Sequence, residues 1–360
     1  MFCERTSVGL DVHARSVVAV AIDGVTGEVF RARLTPAHQE VVGWVRGLPG
    51  PSAVAYEAGP TGFGLCRALT GAGIRCEVAA SSKLQRPAGD RVKTDARDAL
   101  HLARLLRLDE VVSVRVPTEA QEAARDLVRA REAARADLMR ARHRLSKLLL
   151  RHGIVYSGGK AWTMAHDAWL GRQHFERVGT ASAFEDAYEA VVLAGGRRDR
   201  LDAKITALAA DSEFTPVMRR LACLRGISTL TAFSLAVEIG EWDRFTGASI
   251  GAYLGLVPSE HSSGASRSQG PITKTGNSHV RRLLVEAACH HRKTYRPTAV
   301  LRRRWELATP AARARGHAGN QRLHARWVRY AERKKRPVAA NVAVARELAG
   351  WCWSLATLPD

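Results

Sequence analysis

Apolar residues fall in short dense runs over the first third of the chain and at helical spacing after it. Ser7–Val12, Ser16–Ile22 and Val29–Leu34 are predicted as three consecutive strands, with Asp23-Gly24 and Thr26-Gly27 as turn signals between the second and third. Ala37–Gly47 is then predicted as a helix, Ala53–Glu57 as a strand, Gly62–Thr70 as a helix, Arg75–Ala79 as a fifth strand and Asp95–Leu108 as a helix. Glu119–His152 reads as one long helix ending at Gly153. Leu127, Ala134, Leu138, Ala141, Leu145 and Leu148 recur along it at near-heptad spacing, and arginines crowd its other faces. That pattern suits a coiled-coil hairpin arm, a dimer seam or an ordinary bundle. Glu185–Leu193 and Arg198–Ala210 are expected as returning helices, separated at Gly195-Gly196.

From Pro216 onward helices dominate. Leu221–Ala232 reads as helix, Gly226-Ile227 turn and helix, a helix-hairpin-helix-like unit whose turn amides can meet phosphate. Ser259–Asn277 is polar and reads as a flexible surface loop, followed by a helix from Ser278 to about Lys293 and by helices divided at Pro297, Pro310 and Pro337. The expected fold class is therefore α/β followed by all-α. Three antiparallel-capable strands before β-α units give the element order of a ribonuclease-H-like fold.

Composition narrows the function. Net charge is +20, from 55 Lys+Arg against 35 Asp+Glu, which predicts affinity for polyanions through counterion release. Between Val280 and Arg336 there are seventeen Lys/Arg against three Glu and no Asp, with Tyr295, Trp305, Trp327 and Tyr330 interleaved. Such a face suits a nucleic-acid backbone, with the aromatics either stacking on bases or filling the core. Six scattered cysteines without a Cys-x-x-Cys pair indicate reduced thiols rather than disulfides or zinc. No apolar run has the ~18 residues of a membrane span and no signal-peptide pattern is present, so a cytoplasmic protein without membrane partners is expected.

Against this basic background four carboxylates stand out. Asp11 and Glu57 each end a predicted strand, while Asp95 and Asp98 open a predicted helix three residues apart, on one face. Each alone suits a turn, an ion pair or a cap. Together they form a set able to share divalent metal for in-line chemistry on a phosphodiester. Lys93 precedes the helical pair and suits either contact with a phosphate or a solvent-exposed place. The second constellation is the serine-rich run Ser259–Ser266 with Arg267, Lys274, Arg281 and Arg282 close by. A serine hydroxyl can attack a phosphodiester when a base or metal activates it, and arginines can neutralise the phosphate. Composition does not choose which serine.

Gly9-Leu10-Asp11, Tyr56-Glu57-Ala58-Gly59-Pro60-Thr61-Gly62, Lys93-Thr94-Asp95-Ala96-Arg97-Asp98-Ala99, Leu224-Arg225-Gly226-Ile227, Gly255-Leu256-Val257-Pro258, Ser263-Gly264 and Lys274-Thr275-Gly276-Asn277 occur in that order. In this order, and with the closing Ala340–Gly350, they resemble transposases of the insertion-sequence 110 family. The resemblance spans nearly the whole chain except Tyr156–Gly179, where no motif is recognised. It implies a RuvC-like domain at 1–115, a helical coiled-coil linker at 116–213 and a transposase domain at 214–360. It makes Asp11, Glu57, Asp95 and Asp98 a Mg²⁺-binding tetrad. The family nucleophile maps to Ser263, with Ser262 as the one-residue alternative. It further implies recombination of donor and target DNA and a structured guide RNA. Asp98 and Ser263 lie 165 residues apart in different expected domains, so a homo-oligomer (dimer or tetramer) that assembles a composite site is expected. The rival readings are a RuvC-like nuclease that hydrolyses DNA with water and a non-catalytic nucleic-acid-binding protein.

Overall fold

The computed structural model describes residues 4–84, 94–263 and 266–359, and the chain divides into two compact units, Met1–Thr118 and Glu119–Asp360. Each is described by itself.

The first unit is built on a five-stranded sheet. Its strands are β1 (Thr6–Val12), β2 (Val17–Asp23), β3 (Val29–Leu34), β4 (Ser52–Glu57) and β5 (Arg75–Ala79), in the spatial order β3-β2-β1-β4-β5. β1 pairs antiparallel with β2 and parallel with β4, and β4 runs parallel to β5. The central β1 is covered on both faces and carries an almost uninterrupted buried run, whereas the edge strand β3 alternates exposed and half-buried positions. Arg31 and Arg33 keep that edge charged. Helices α1 (His38–Arg46) and α2 (Gly64–Gly71) bury Val41, Val45, Leu65 and Leu69 against Val8, Leu10, Val54 and Tyr56. Helix α3 (Asp95–Arg107) covers the opposite face, where Leu106 meets Ala53 and Ala55. The antiparallel triplet and following β-α units match the ribonuclease-H-like order expected from the sequence.

The second unit is mainly helical. Helices α4 (Glu119–Arg151) and α6 (Val178–Ala210) pack along each other, joined through the short α5 (Met164–Leu170). Each has 33 residues, about 50 Å of helix. One end of the pair is held by Leu138, Ala141, Leu145 and Leu149 against Leu170, Phe184 and Val191. The other end contributes Ala124, Val128, Ile205 and Ala209 to the main core. The apolar seam of α4 is thus filled by α6 of the same chain, as a hairpin. Its deepest positions include Val128 and Leu149, with Leu127 and Leu148 half-buried beside them, because a helix of 3.6 residues per turn drifts from a strict heptad. The expected break at Gly195-Gly196 does not occur. α6 runs straight through, since packing on both sides of the two glycines outweighs their helix cost of about 1 kcal/mol each.

The main core is completed by α7 (Thr215–Leu221), α8 (Thr229–Ile239), α9 (Ser249–Tyr253), α10 (Ser278–Ala288), α11 (Ala299–Glu306), α12 (Pro310–Glu332) and α13 (Pro337–Ala356). Trp327 is buried, with Nε1 donating to the Ala288 carbonyl, and Trp305 packs on the core with Nε1 donating to the Cys223 carbonyl. Of the two uses expected for these tryptophans, core filling is the one observed. Among the described residues no helix is long and apolar enough to cross a membrane.

Candidate active site

In the first unit, strand parity and one glycine bring the acids together. Asp11 shares a sheet face with Gly9, and Glu57 shares it with Ala53 and Ala55, the face that α3 covers. Leu10 pairs with Tyr56 across β1 and β4, so Asp11 and Glu57 are the next residues at neighbouring strand ends. Gly9 lets α3 lie directly on β1: a Cβ there would stand 1.9 Å from the Ala99 carbonyl oxygen and 2.6 Å from the Ala103 nitrogen. Thr94 caps α3, its Oγ1 accepting from the Arg97 amide at 3.4 Å, and Asp95 and Asp98 occupy the first helical turn. Acids there are favoured by the helix dipole.

The result is a cluster of Asp11, His13 and Asp95, with one ligand atom of each within 4.8 Å of the others. His13 Nε2 lies 3.3 Å from Asp11 Oδ2 and 3.7 Å from Asp95 Oδ1. The Asp11 carboxyl is pushed above its usual range, first by burial and then by repulsion from Asp95 and Asp98, with His13 opposing the rise. Glu57 is exposed and lines, with Asp11 and His13, an open cleft of about 640 Å³. Its loop is pinned by the buried Tyr56, whose hydroxyl donates to the Gly62 carbonyl at 3.1 Å, while Gly62 takes φ +71°. Asp95 and Asp98 thus act on Asp11, and Glu57 lines the same cleft as Asp11. His13 was not singled out from the sequence. The signal was its spacing, since Asp11 and His13 are two residues apart on an extended segment and project to one side.

These residues suit a hard divalent cation. Oxygen donors predominate, and the mutual repulsion that raises the Asp11 carboxyl is what a bound dication relieves.

In the second unit the serine-rich segment is not a loop but a ribbon. β6 (Pro258–Ser263) pairs antiparallel with β7 (Ser266–Ile272), and Ser263 stands opposite Ser266 at the tip, solvent-exposed. The motifs on either side build its root. Gly255 (φ +64°) and Gly276 (φ +67°) both use the left-handed region, and a Cβ on Gly276 would stand 2.0 Å from the Tyr253 carbonyl oxygen. The Thr273 amide donates to the Val257 carbonyl and the Lys274 amide to that of Gly255. Arg281 donates to the carbonyls of Leu254 and Thr275 at 2.9 and 2.7 Å, and Arg282 pairs with Glu132 and Glu286. These two arginines are engaged within the fold, while Lys274 is exposed at φ +57°. Lys93 and Gly264 lie outside the described residues, as do the side chains of Ser262 and Arg267.

Asn277 joins the root to the core. Its Oδ1 accepts from the Val280 amide as the cap of α10, and its Nδ2 donates to Glu238 at 2.9 Å. Glu238 is buried at the end of α8 and also receives both arms of Arg129 at 3.0 Å, with His279 Nδ1 at 3.5 Å. Burial disfavours its charge, but hydrogen bonds from His279 and Arg129, with the Arg129 charge and Asn277, prevail and hold the carboxyl down to about 2. A depressed carboxyl contributes stability that is present above its unfolded value near 4.5 and is lost as pH falls toward about 2. Glu238→Gln is expected to remove that acid-sensitive component from thermal unfolding curves recorded across this window. At neutral pH it should cost about 2 kcal/mol, below the range for fully buried pairs because Arg129 is 58% exposed. Parallel wild-type and variant curves between pH 4.5 and 2 would contradict the assignment.

Comparison with known proteins fits both halves. A DEDD transposase family matches residues 8–154, and the family described as "Transposase IS116/IS110/IS902 family" matches residues 218–304. The chain is 38% identical over 363 residues to a putative transposase, y4qE, of Sinorhizobium fredii, covering 97% of this chain and 88% of that one. The chain belongs to the IS110 family of transposases. It is also 32% identical over 244 residues to the transposase for insertion sequence element IS1533 of Leptospira borgpetersenii, covering 66% and 70% of the two chains. Residues 8–154 accordingly contain the RuvC-like DEDD region of an IS110 transposase, an enzyme acting on DNA.

Proposed function

We propose that this transposase is a site-specific recombinase that cuts and rejoins DNA through a phosphoserine bond. In the first step Ser263 Oγ attacks a scissile phosphorus. The Oγ–P bond forms, the P–O3′ bond breaks, the hydroxyl proton passes to a base, and the leaving 3′ oxygen takes up a proton. The DNA is then held by its 5′ phosphate on Ser263, and attack of a 3′-hydroxyl on that phosphoserine reverses the step on a new partner. No bond energy is lost to water. The observation that carries the reading is the convergence of Asp11, His13 and Asp95, with Glu57 on the same cleft, in a chain of this family.

Asp11, Asp95, Asp98 and Glu57 are the residues we assign to holding Mg²⁺. When bound, such an ion supplies charge stabilisation to the phosphate and favours the ionised form of a nucleophilic or leaving oxygen. Lys274 and Arg267 are assigned to the DNA backbone near the serine, and Lys93 to phosphate near the acids. Arg281, spent on the ribbon root, is assigned to holding the ribbon and through it the nucleophile, and Arg282, paired with Glu132 and Glu286, to tying α10 to α4. The proposal includes donor and target DNA, a structured guide RNA drawn by the basic surface, and a homodimer or tetramer, since strand exchange joins two DNA molecules.

The test is a purified-protein reaction with Mg²⁺, element-end DNA and flanking RNA. Wild-type protein is expected to yield a covalent adduct at Ser263 by mass spectrometry, and Ser263→Ala none. Metal-dependent strand cleavage retained by Ser263→Ala would overturn the serine mechanism in favour of hydrolysis at the acids.

A further inference from the structure

The last two helices and α9 enclose a second cleft of about 600 Å³, which the serine and the acids do not use. Its walls follow from helical spacing. Arg315, Arg326 and Tyr330 fall on one stripe of α12, and Arg346, Glu347, Trp351 and Ser354 on one stripe of α13. Glycines let these walls close up. A Cβ at Gly319 would stand 2.9 Å from the Trp351 ring, and one at Gly251 would stand 3.1 Å from Arg346 Cγ.

The guanidinium groups are set in place before any ligand arrives. Arg315 lies over the Trp351 ring at 4.6 Å and its Nε donates to Ser354 Oγ at 2.9 Å. Arg326 lies over the Tyr330 ring at 5.1 Å and its Nε donates to the Tyr330 hydroxyl at 3.1 Å. Glu347 is the carboxylate lining the cleft, and its two oxygens go to Arg322 and Arg326 at 3.0 and 3.4 Å. Arg346 is exposed and has no hydrogen-bond or ion-pair partner among the described residues. The cleft is therefore positive, lined with planar groups, and carries a cation without a counter-ion. A concavity of this size takes a small molecule or one residue of a polymer, not a duplex.

We propose that this cleft holds one unpaired nucleotide of a single-stranded nucleic acid, its phosphate against Arg346 and its base against the Arg315–Trp351 stack. Phosphate calls for an unpaired cation, and bases stack on guanidinium planes and aromatic rings. The assignment rests on the chain's action on nucleic acid, and single-stranded DNA and RNA share the chemistry it requires.

The test uses the full-length protein with labelled oligothymidine, oligouridine and a DNA duplex. Arg346→Glu is expected to weaken single-strand binding about ten-fold and duplex binding by less than about two-fold. Arg346→Ala, a good helix former at an exposed site, should reduce the slope of log affinity against log salt by about 0.7 for single strands, and Arg346→Lys should restore it. Loss on oligothymidine alone identifies a DNA strand and loss on oligouridine alone an RNA strand. Either supports the site. Unchanged single-strand affinity, or equal losses on duplex, would overturn it. With duplex binding and the Ser263 adduct intact, that result removes the cleft and leaves the proposed function standing. A wild-type protein that binds no nucleic acid would overturn both.

Discussion

An Asp11→Asn protein is expected to lose strand cleavage by about 10³-fold while keeping its fold, the scale of removing one group that stabilises transition-state charge. Asparagine has the same shape, so the packing of β1 is kept. The charge it removes is one that burial, Asp95 and Asp98 already disfavour, with His13 alone opposing them. Without metal the variant should therefore unfold at the same temperature as wild type or higher. Metal reverses the order. Adding Mg²⁺ should raise the unfolding temperature of wild type, because a ligand that binds only the folded state stabilises it, and should leave Asp11→Asn nearly unmoved. Chelation should abolish wild-type cleavage to the same extent as the substitution. Wild-type cleavage rates in Asp11→Asn would remove the acids from the chemistry. A variant destabilised in the absence of metal would show that Asp11 is structural.

Much of this site was legible because its parts carry local signals. Asp11 and Glu57 end dense apolar runs, and Asp95 and Asp98 open an amphipathic helix after a capping Thr94, so each acid could be placed on an element before any tertiary contact was known. His13 was not found, because it lies just beyond the buried run of β1 and draws attention only once Asp11 is taken as a ligand. The serine ribbon was not legible as strands either. Along Pro258–Ser263 and Ser266–Ile272 most positions are polar and exposed, so no alternation marks an inner face. A two-stranded ribbon of that kind is marginal on its own. What holds it are the left-handed glycines at its root and the contacts of Arg281 with Leu254 and of Asn277 with Glu238, partners 27 and 39 residues away along the chain. The glycine pair in α6 misled for the opposite reason. Local propensity indicated a break, and packing along α4 overrode it.

The same contrast between local signal and tertiary demand predicts the largest stability effect, at Gly9. Its φ is ordinary, so nothing in the backbone of β1 requires glycine there, and a strand would accept alanine or valine readily. The demand comes from α3. A Cβ at Gly9 would stand 1.9 Å from the Ala99 carbonyl oxygen, 2.6 Å from the Ala103 nitrogen and 2.9 Å from Leu102 Cβ. Two of the three are backbone atoms of a helix, which cannot rotate aside as a side chain does, so α3 as a whole must lift from the sheet. Gly9→Ala is expected to destabilise the first unit by about 3 kcal/mol, the upper range for overpacking a core. Lifting α3 also carries Asp95 and Asp98 away from Asp11, so cleavage and the Mg²⁺-induced rise in unfolding temperature should fall together even where the protein remains folded. Gly43→Ala is the matched control. Gly43 lies within α1 with nothing within 4 Å of an added Cβ, so alanine there should be neutral or stabilise by up to about 1 kcal/mol. If Gly9→Ala unfolds like wild type and retains its response to Mg²⁺, then α3 does not lie on β1 as described, and the route by which the helix acids reach Asp11 is wrong.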